Sequence, residues 1–251
     1  MSASACTHGG PGFSRANGGD TPAVDPTQAV HGGLLALPQP MLVAGSLARL
    51  RALRLAWPDD DTLRLLGALP RLAHAPPGPR PRRWWRHVYC LAAIAARLQP
   101  QQPPRGAALA ALHSVVLALI AAQAPQALLL AEAQARQDGA ELEACLAGQG
   151  LDLAGLIIAL ARHWQLPAAL VADYREPSSA LREVVPAGLW LLHLKRMPPP
   201  FALGLMEPTP AQLHALGLGP EGLVTAVAAL GEAVDDGRRL SRAILELPGA
   251  G

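Results

Sequence analysis

Charged residues, aromatic residues and cysteines are all scarce in this sequence of 251 residues. Charged side chains make up 16% and the formal net charge is +2, so the chain as a whole has no strong field to attract nucleic acid or an anionic membrane. We therefore do not expect a nucleic-acid partner. Segments in which Val, Ile, Thr or Tyr alternates with polar residues are also lacking, which argues against half-buried strands. With Ala and Leu dominating, the sequence predicts an all-α fold.

The three cysteines, Cys6, Cys90 and Cys145, are odd in number and far apart. They lack the close spacing of a structural zinc site and the even number of a disulfide framework. Cys90 and Cys145 lie in apolar helical patterns, where a cysteine acts as a small buried hydrophobe. Residues 1–30 contain no apolar segment after basic residues, so no signal peptide is predicted. We expect a cytoplasmic protein.

Hydrophobic residues make up 51% of the chain, enough for a substantial core. The longest uncharged run extends from residue 106 to residue 131 and has the length of a membrane span. Pro125 lies inside this run with Gln123 and Gln126 beside it, and proline is favoured in the first turn of a helix. The run therefore predicts two buried core helices that meet near Pro125, and no membrane span.

Residues 1–33 have too little apolar content to offset their ordering entropy, so we predict a disordered leader. Periodic apolar residues, helix caps and prolines then divide the chain into predicted helices. We expect Asp60 or Asp61 to cap the helix that Pro70 limits, and Asp152 to cap a later one. The predicted helices cover 46–57, 61–70, 83–98, 106–124, 125–137, 140–147, 152–164, 179–196, 210–216 and 220–234, with another opened by Pro167.

Three blocks of the sequence occur in an order typical of one bacterial domain family. They read WWRHVYCLAAIAARL (84–98), AALAALHSVVLALIAAQAP (107–125) and LDLAGLIIALARHWQLPAALVADY (151–174). Together they resemble the HDOD domain, a signalling module related to HD-type phosphohydrolases but generally without their metal ligands. The third block is the most specific, since it matches the family's helix that ends in Trp-x-Leu-Pro and the helix after it. The resemblance implies a multi-helix HD-like bundle with a smaller N-terminal helical subdomain.

The resemblance extends from about residue 34 to residue 235 and sets the predicted domain boundaries. After the leader we expect an N-terminal helical subdomain over 34–80, an HD-like helical domain over 81–235 and a C-terminal tail over 236–251. The N-terminal subdomain is shortened, because only SLARLRALRLA (46–56) stands where the family has a longer passage.

The resemblance also identifies the positions that hold a metal in HD-type hydrolases. His87 matches the first histidine and His113 the histidine of the His-Asp doublet, but Ser114 replaces the aspartate. A neutral hydroxyl cannot replace the carboxylate in holding a divalent cation or activating a bound water. We therefore predict relic positions with no metal, no cofactor and no catalytic residue. Asp173 and His193 lie later in the chain without a ligand motif.

The function expected from this resemblance is a non-enzymatic bacterial signalling or scaffold module that binds an unidentified signalling protein. The alternative is a degenerate HD-type phosphohydrolase that acts on a nucleotide, with a metal held by His87, His113 and a carboxylate still to be identified. The signalling module needs no catalytic group, whereas the phosphohydrolase needs a third metal ligand.

Arginines are concentrated before and inside the 83–98 helix, next to Trp84 and Trp85. Guanidinium groups and an indole face can contact phosphate, an acidic partner or a nucleotide. The other interpretation, which the pattern favours, is a solvated linker whose tryptophans fill the core. The arginines concerned are Arg80, Arg82, Arg83 and Arg86.

The sequence ARHWQLPAAL (161–170) predicts a packed corner between two helices. Trp164 ends the first helix, Leu166 connects, and Pro167 fixes the backbone angle that starts the next helix. We expect the indole of Trp164 to be buried between them.

Overall fold

A computed structural model describes residues 25–42, 45–72, 81–172, 174–176, 180–194, 210–216 and 220–247. Within these ranges the chain forms twelve helices and no strand, which confirms the all-α prediction. The helices are α1 (Pro26–Leu35), α2 (Ser46–Arg51), α3 (Asp60–Leu72), α4 (Pro81–Leu98), α5 (Pro103–Gln123), α6 (Pro125–Asp138), α7 (Leu142–Gly148), α8 (Leu153–His163), α9 (Ala168–Val171), α10 (Ala180–Leu194), α11 (Pro210–Ala215) and α12 (Pro220–Leu245).

Helix α4 lies at the centre of the bundle and packs against α5, α10 and α12. Two glycines allow its neighbours to approach its backbone. A Cβ atom on Gly106 of α5 would collide with the Ala95 carbonyl, and one on Gly237 of α12 would lie 2.5 Å from the Cα atom of Cys90. Small residues therefore permit the close helix crossings on which the core depends.

Helix α5 has the longest unbroken run of buried residues among the described helices, from Gly106 to Ile120. Within the described residues it is the one unbroken helix long and apolar enough to span a membrane, with a mean hydropathy of 1.8, and 83% of that segment is buried inside the bundle. Helices α7 and α8 together also pass this test, but they meet at an angle of 90°. As predicted, Pro125 separates α5 from α6.

The end of α3 differs from the prediction, because Pro70 lies inside the helix and does not limit it. Proline lacks the N–H group that would donate to the Leu66 carbonyl four residues earlier. The hydroxyl of Tyr89, a fully buried residue, donates to this carbonyl at 3.1 Å and supplies the missing bond. Burial also raises the pKa of Tyr89. The cap of α3 is Asp59, whose carboxylate accepts from the Thr62 N–H at 2.8 Å, rather than Asp60 or Asp61.

The predicted disordered leader is wrong for its last residues. Asp25 caps α1 by accepting from the Thr27 N–H, and Pro26 occupies the first turn. Val30 and Leu34, one turn apart, are buried, and α1 packs against α5 and α8. This burial outweighs the polar, glycine-rich surroundings that suggested disorder. Residues 1–24, including Cys6, lie outside the described residues.

The boundary predicted at residue 235 is also wrong, because α12 continues without a break to Leu245. Leu240 and Ile244 are fully buried on the face that includes Gly237. Residues 236–247 therefore belong to the helical core rather than to a tail.

Candidate functional site

His87 is a core residue of α4. Its side chain stacks on Trp84, with ring centroids 6.5 Å apart and planes inclined by 18°, and the residue is 4% exposed. The Nδ1 atom is buried and has no hydrogen-bond partner among the described residues. Burial, with a smaller effect of the Arg83 charge, lowers the pKa of His87 to about 4. The imidazole is therefore neutral at pH 7.

His113 and Ser114 lie in the middle of α5, which packs directly against α4. Burial lowers the pKa of His113 to about 4, so it too is neutral at pH 7. The hydroxyl of Ser114 donates to the Ala110 carbonyl at 2.8 Å, within the same helix. This is the local bond that serine forms when it is buried in a helix. Ser114 therefore directs its only donor to its own backbone.

A third metal ligand is lacking among the described residues, since they contain no group of three or more His, Cys, Asp or Glu side chains that could hold an ion. Asp173 lies outside the described residues. His193 is exposed near the end of α10. The sequence reasoning missed Glu132 of α6, whose buried carboxylate lies 4.0 Å from the Arg136 guanidinium. Burial raises its pKa, but it forms no ligand group with the histidines.

The segment around Trp164 is a closed helix end. Gln165 has the left-handed φ angle of 53°, and its N–H donates to the Arg162 carbonyl. The Leu166 N–H donates to the Ala161 carbonyl at 2.9 Å, which completes a Schellman motif. Trp164 is 3% exposed, and within the described part of the chain its indole N–H has no partner. Pro167 is the residue before α9.

An open groove of about 450 Å³, which the sequence did not reveal, lies beside this corner between α8 and α9. Its floor is apolar and its rim carries Arg162, Arg175 and Glu176. Arg175 lies 3.6 Å from the carboxylate of Asp152, the residue that caps α8 as predicted. Arg105 of α5 donates to the carbonyls of Leu170 and Ala172 and so holds α9 in place. The apolar lining includes Ile158, Ala161, Leu166 and Val171.

The predicted arginine cluster is only partly described, since Arg80 and the side chain of Arg82 lie outside the described residues. Arg83 and Arg86 are exposed. Trp84 and Trp85 are 6% and 4% exposed, so their rings fill the core and offer no stacking face to solvent. Cys90 on α4 and Cys145 on α7 are also buried.

Comparisons of this chain with protein-family models, with curated proteins and with solved structures find no match.

Proposed function

We propose that this chain is a non-enzymatic bacterial signalling or scaffold module of HDOD type, which acts in the cytoplasm through contacts with a signalling protein. The observation that carries the proposal is the hydrogen bond from Ser114 to the Ala110 carbonyl. At the position where an HD-type hydrolase places a carboxylate, this chain has a neutral group already bonded within its helix.

The two histidines support the same proposal. Metal-bound water is activated at sites that keep an open position next to anionic or imidazole ligands. His87 and His113 are buried in apolar surroundings, and Trp84 covers one face of the His87 ring. They serve as core residues, and the module needs no cofactor.

Protein contacts would use the concave and flanking surfaces of the bundle. Two bonds tie the segment after α1 to the end of α8: His163 Nε2 lies 2.7 Å from the Leu37 carbonyl, and the Gln39 amide donates to the His163 carbonyl. The N-terminal segment and the bundle are thereby held in one orientation. The α8–α9 groove, with its apolar floor and charged rim, lies at the same end of α8 as this junction, since Arg162 belongs to its lining.

A hydrolase assay tests the proposal against the phosphohydrolase alternative. The purified chain would be incubated with Mn²⁺ or Fe²⁺ and bis(p-nitrophenyl) phosphate or a cyclic dinucleotide. We expect no metal-dependent turnover by the native chain, by His113→Ala or by the control His193→Ala, which alters an exposed histidine. Turnover by the native chain and the control that is lost in His113→Ala would contradict the proposal.

A further inference from the structure

Two exposed arginines on α4 and two on α12 lie within two helical turns of the point where these helices cross. At the crossing, a Cβ atom on Gly237 would lie 2.5 Å from the Cα atom of Cys90, so the two backbones are in contact. The Cys90 thiol lies 3.6 Å from the Val234 carbonyl. The four residues, which we call the arginine surface, are Arg83 and Arg86 on α4 and Arg238 and Arg242 on α12.

The two helices run antiparallel at this crossing. Cys90 faces Gly237, whereas Arg97, two turns later on α4, lies 3.4 Å from Glu232, which precedes Gly237 on α12. Arg86 precedes Cys90 by one turn. Because the helices are antiparallel, Arg86 lies on the same side of the crossing as the residues that follow Gly237 on α12. Arg83 and Arg242 extend the surface by one turn along each helix in that direction.

The surroundings of the Cys90 thiol agree with an approach of one arginine from each helix. Burial raises the pKa of Cys90 to about 12, the charges of Arg238 and Arg86 act against this rise, and the charge of Asp235 adds to it. Both guanidinium groups are therefore within electrostatic range of the same sulfur atom.

Few carboxylate side chains pair with the arginine surface. In the part of the chain that the structure describes, Arg83, Arg86 and Arg242 form no salt bridge and no side-chain hydrogen bond. Arg238 pairs only with Asp235, one turn earlier, at 3.3 Å in an exposed pair of the kind that contributes little. The other ion-paired carboxylates of α12 contact arginines outside the surface, as the pairs Glu232–Arg97, Asp236–Arg97, Asp236–Arg239 and Glu246–Arg49 show.

We infer that the arginine surface binds an acidic segment, rich in Asp and Glu, of a partner protein. This inference rests on the proposed function, because it names the chemistry of the partner. The guanidinium group of arginine can bind a carboxylate through two parallel hydrogen bonds. The two arginines on each helix could therefore pair with carboxylates spaced along one acidic segment. Single-stranded nucleic acid is disfavoured because Trp84 and Trp85, the neighbouring aromatic residues, are buried and cannot stack on bases.

Fluorescence anisotropy of the full chain with a labelled poly-glutamate peptide tests the inference at low ionic strength. The variant Arg86→Glu/Arg242→Glu should weaken peptide binding by roughly tenfold or more, since it replaces two attractions by two repulsions. The matched control Arg64→Glu/Arg136→Glu reverses two exposed arginines on α3 and α6, away from the arginine surface, and should change the affinity by less than about twofold. Circular dichroism would verify that both variants are folded.

Two results would overturn the inference. One is that the native chain does not bind the peptide, or binds it as tightly as the double variant does. The other is that a single-stranded oligonucleotide binds about tenfold more tightly than the peptide and loses its affinity in the double variant. Neither result involves turnover, so failure of the arginine surface is distinguishable from failure of the proposed function, which the hydrolase assay measures.

Discussion

The bond between the Tyr89 hydroxyl and the Leu66 carbonyl makes a quantitative prediction about α3. Because Pro70 has no N–H, this buried carbonyl depends on the hydroxyl at 3.1 Å. Tyr89→Phe should therefore lower the free energy of unfolding by about 1–3 kcal/mol, the cost of leaving a buried acceptor without its donor. Pro70→Ala restores the helix N–H, so the same Tyr89→Phe change in that background should cost only about 0.5–1 kcal/mol.

Urea denaturation of the native chain, both single variants and the double variant measures this coupling as a thermodynamic cycle. We expect a coupling free energy of about 1 kcal/mol between the two positions. If Tyr89→Phe lowers the stability equally with proline and with alanine at residue 70, the hydroxyl does not replace the missing N–H, and this explanation for the continuation of α3 through Pro70 is wrong.

Three further predictions concern the core. Gly237→Ala should destabilise the fold by about 1–3 kcal/mol in urea denaturation, because its Cβ atom would meet the α4 backbone. The control Gly231→Ala on the same helix has open space around the new Cβ atom and should stabilise the fold by up to about 1 kcal/mol. Equal effects of the two substitutions would contradict the close crossing. His87 and His113 each have a pKa of about 4 in the folded state and 6.5 in the unfolded state. Between these two values the unfolded state binds more protons, so acid favours unfolding. Each histidine's contribution to the free energy of unfolding, on the order of 3 kcal/mol, is therefore present above pH 6.5 and lost as pH falls towards 4. Denaturation at several pH values should show this decline, and leucine at both positions should remove most of it. Trp164→Ala should cost about 3–5 kcal/mol, and a melting temperature equal to that of the native chain would contradict its burial.

The helices that the sequence predicted well are those whose boundaries have a local chemical cause. Pro125 separates α5 from α6 because proline fits a helix start, and Asp152 caps α8 because its side chain reaches the N–H of Gly155. The N-terminal helix was missed because its stability comes from the burial of Val30 and Leu34 against helices distant in sequence. The continuation of α3 beyond Pro70 likewise depends on a residue of α4.

In the candidate site, too, the sequence predicts the features that have a local cause and misses those that depend on the fold. Burial of His113 follows from its uncharged, apolar neighbours on both sides, which the sequence displays directly. The sequence also placed Arg86 in a basic cluster, but it associated that residue with the linker before α4. Its proximity to Arg238 depends on the crossing of α4 and α12, which only the folded chain defines.

The metal content of the purified chain tests the central claim most directly. After incubation with Mn²⁺ or Fe²⁺ and removal of free ions, mass spectrometry would measure the metal bound per chain. Because Ser114 is bonded to its own helix and the described residues contain no group of three or more His, Cys, Asp or Glu side chains that could hold an ion, we predict far less than one ion per chain, unchanged in His113→Ala. One ion per chain that is lost in His113→Ala would contradict the claim that His87, His113 and Ser114 are core residues.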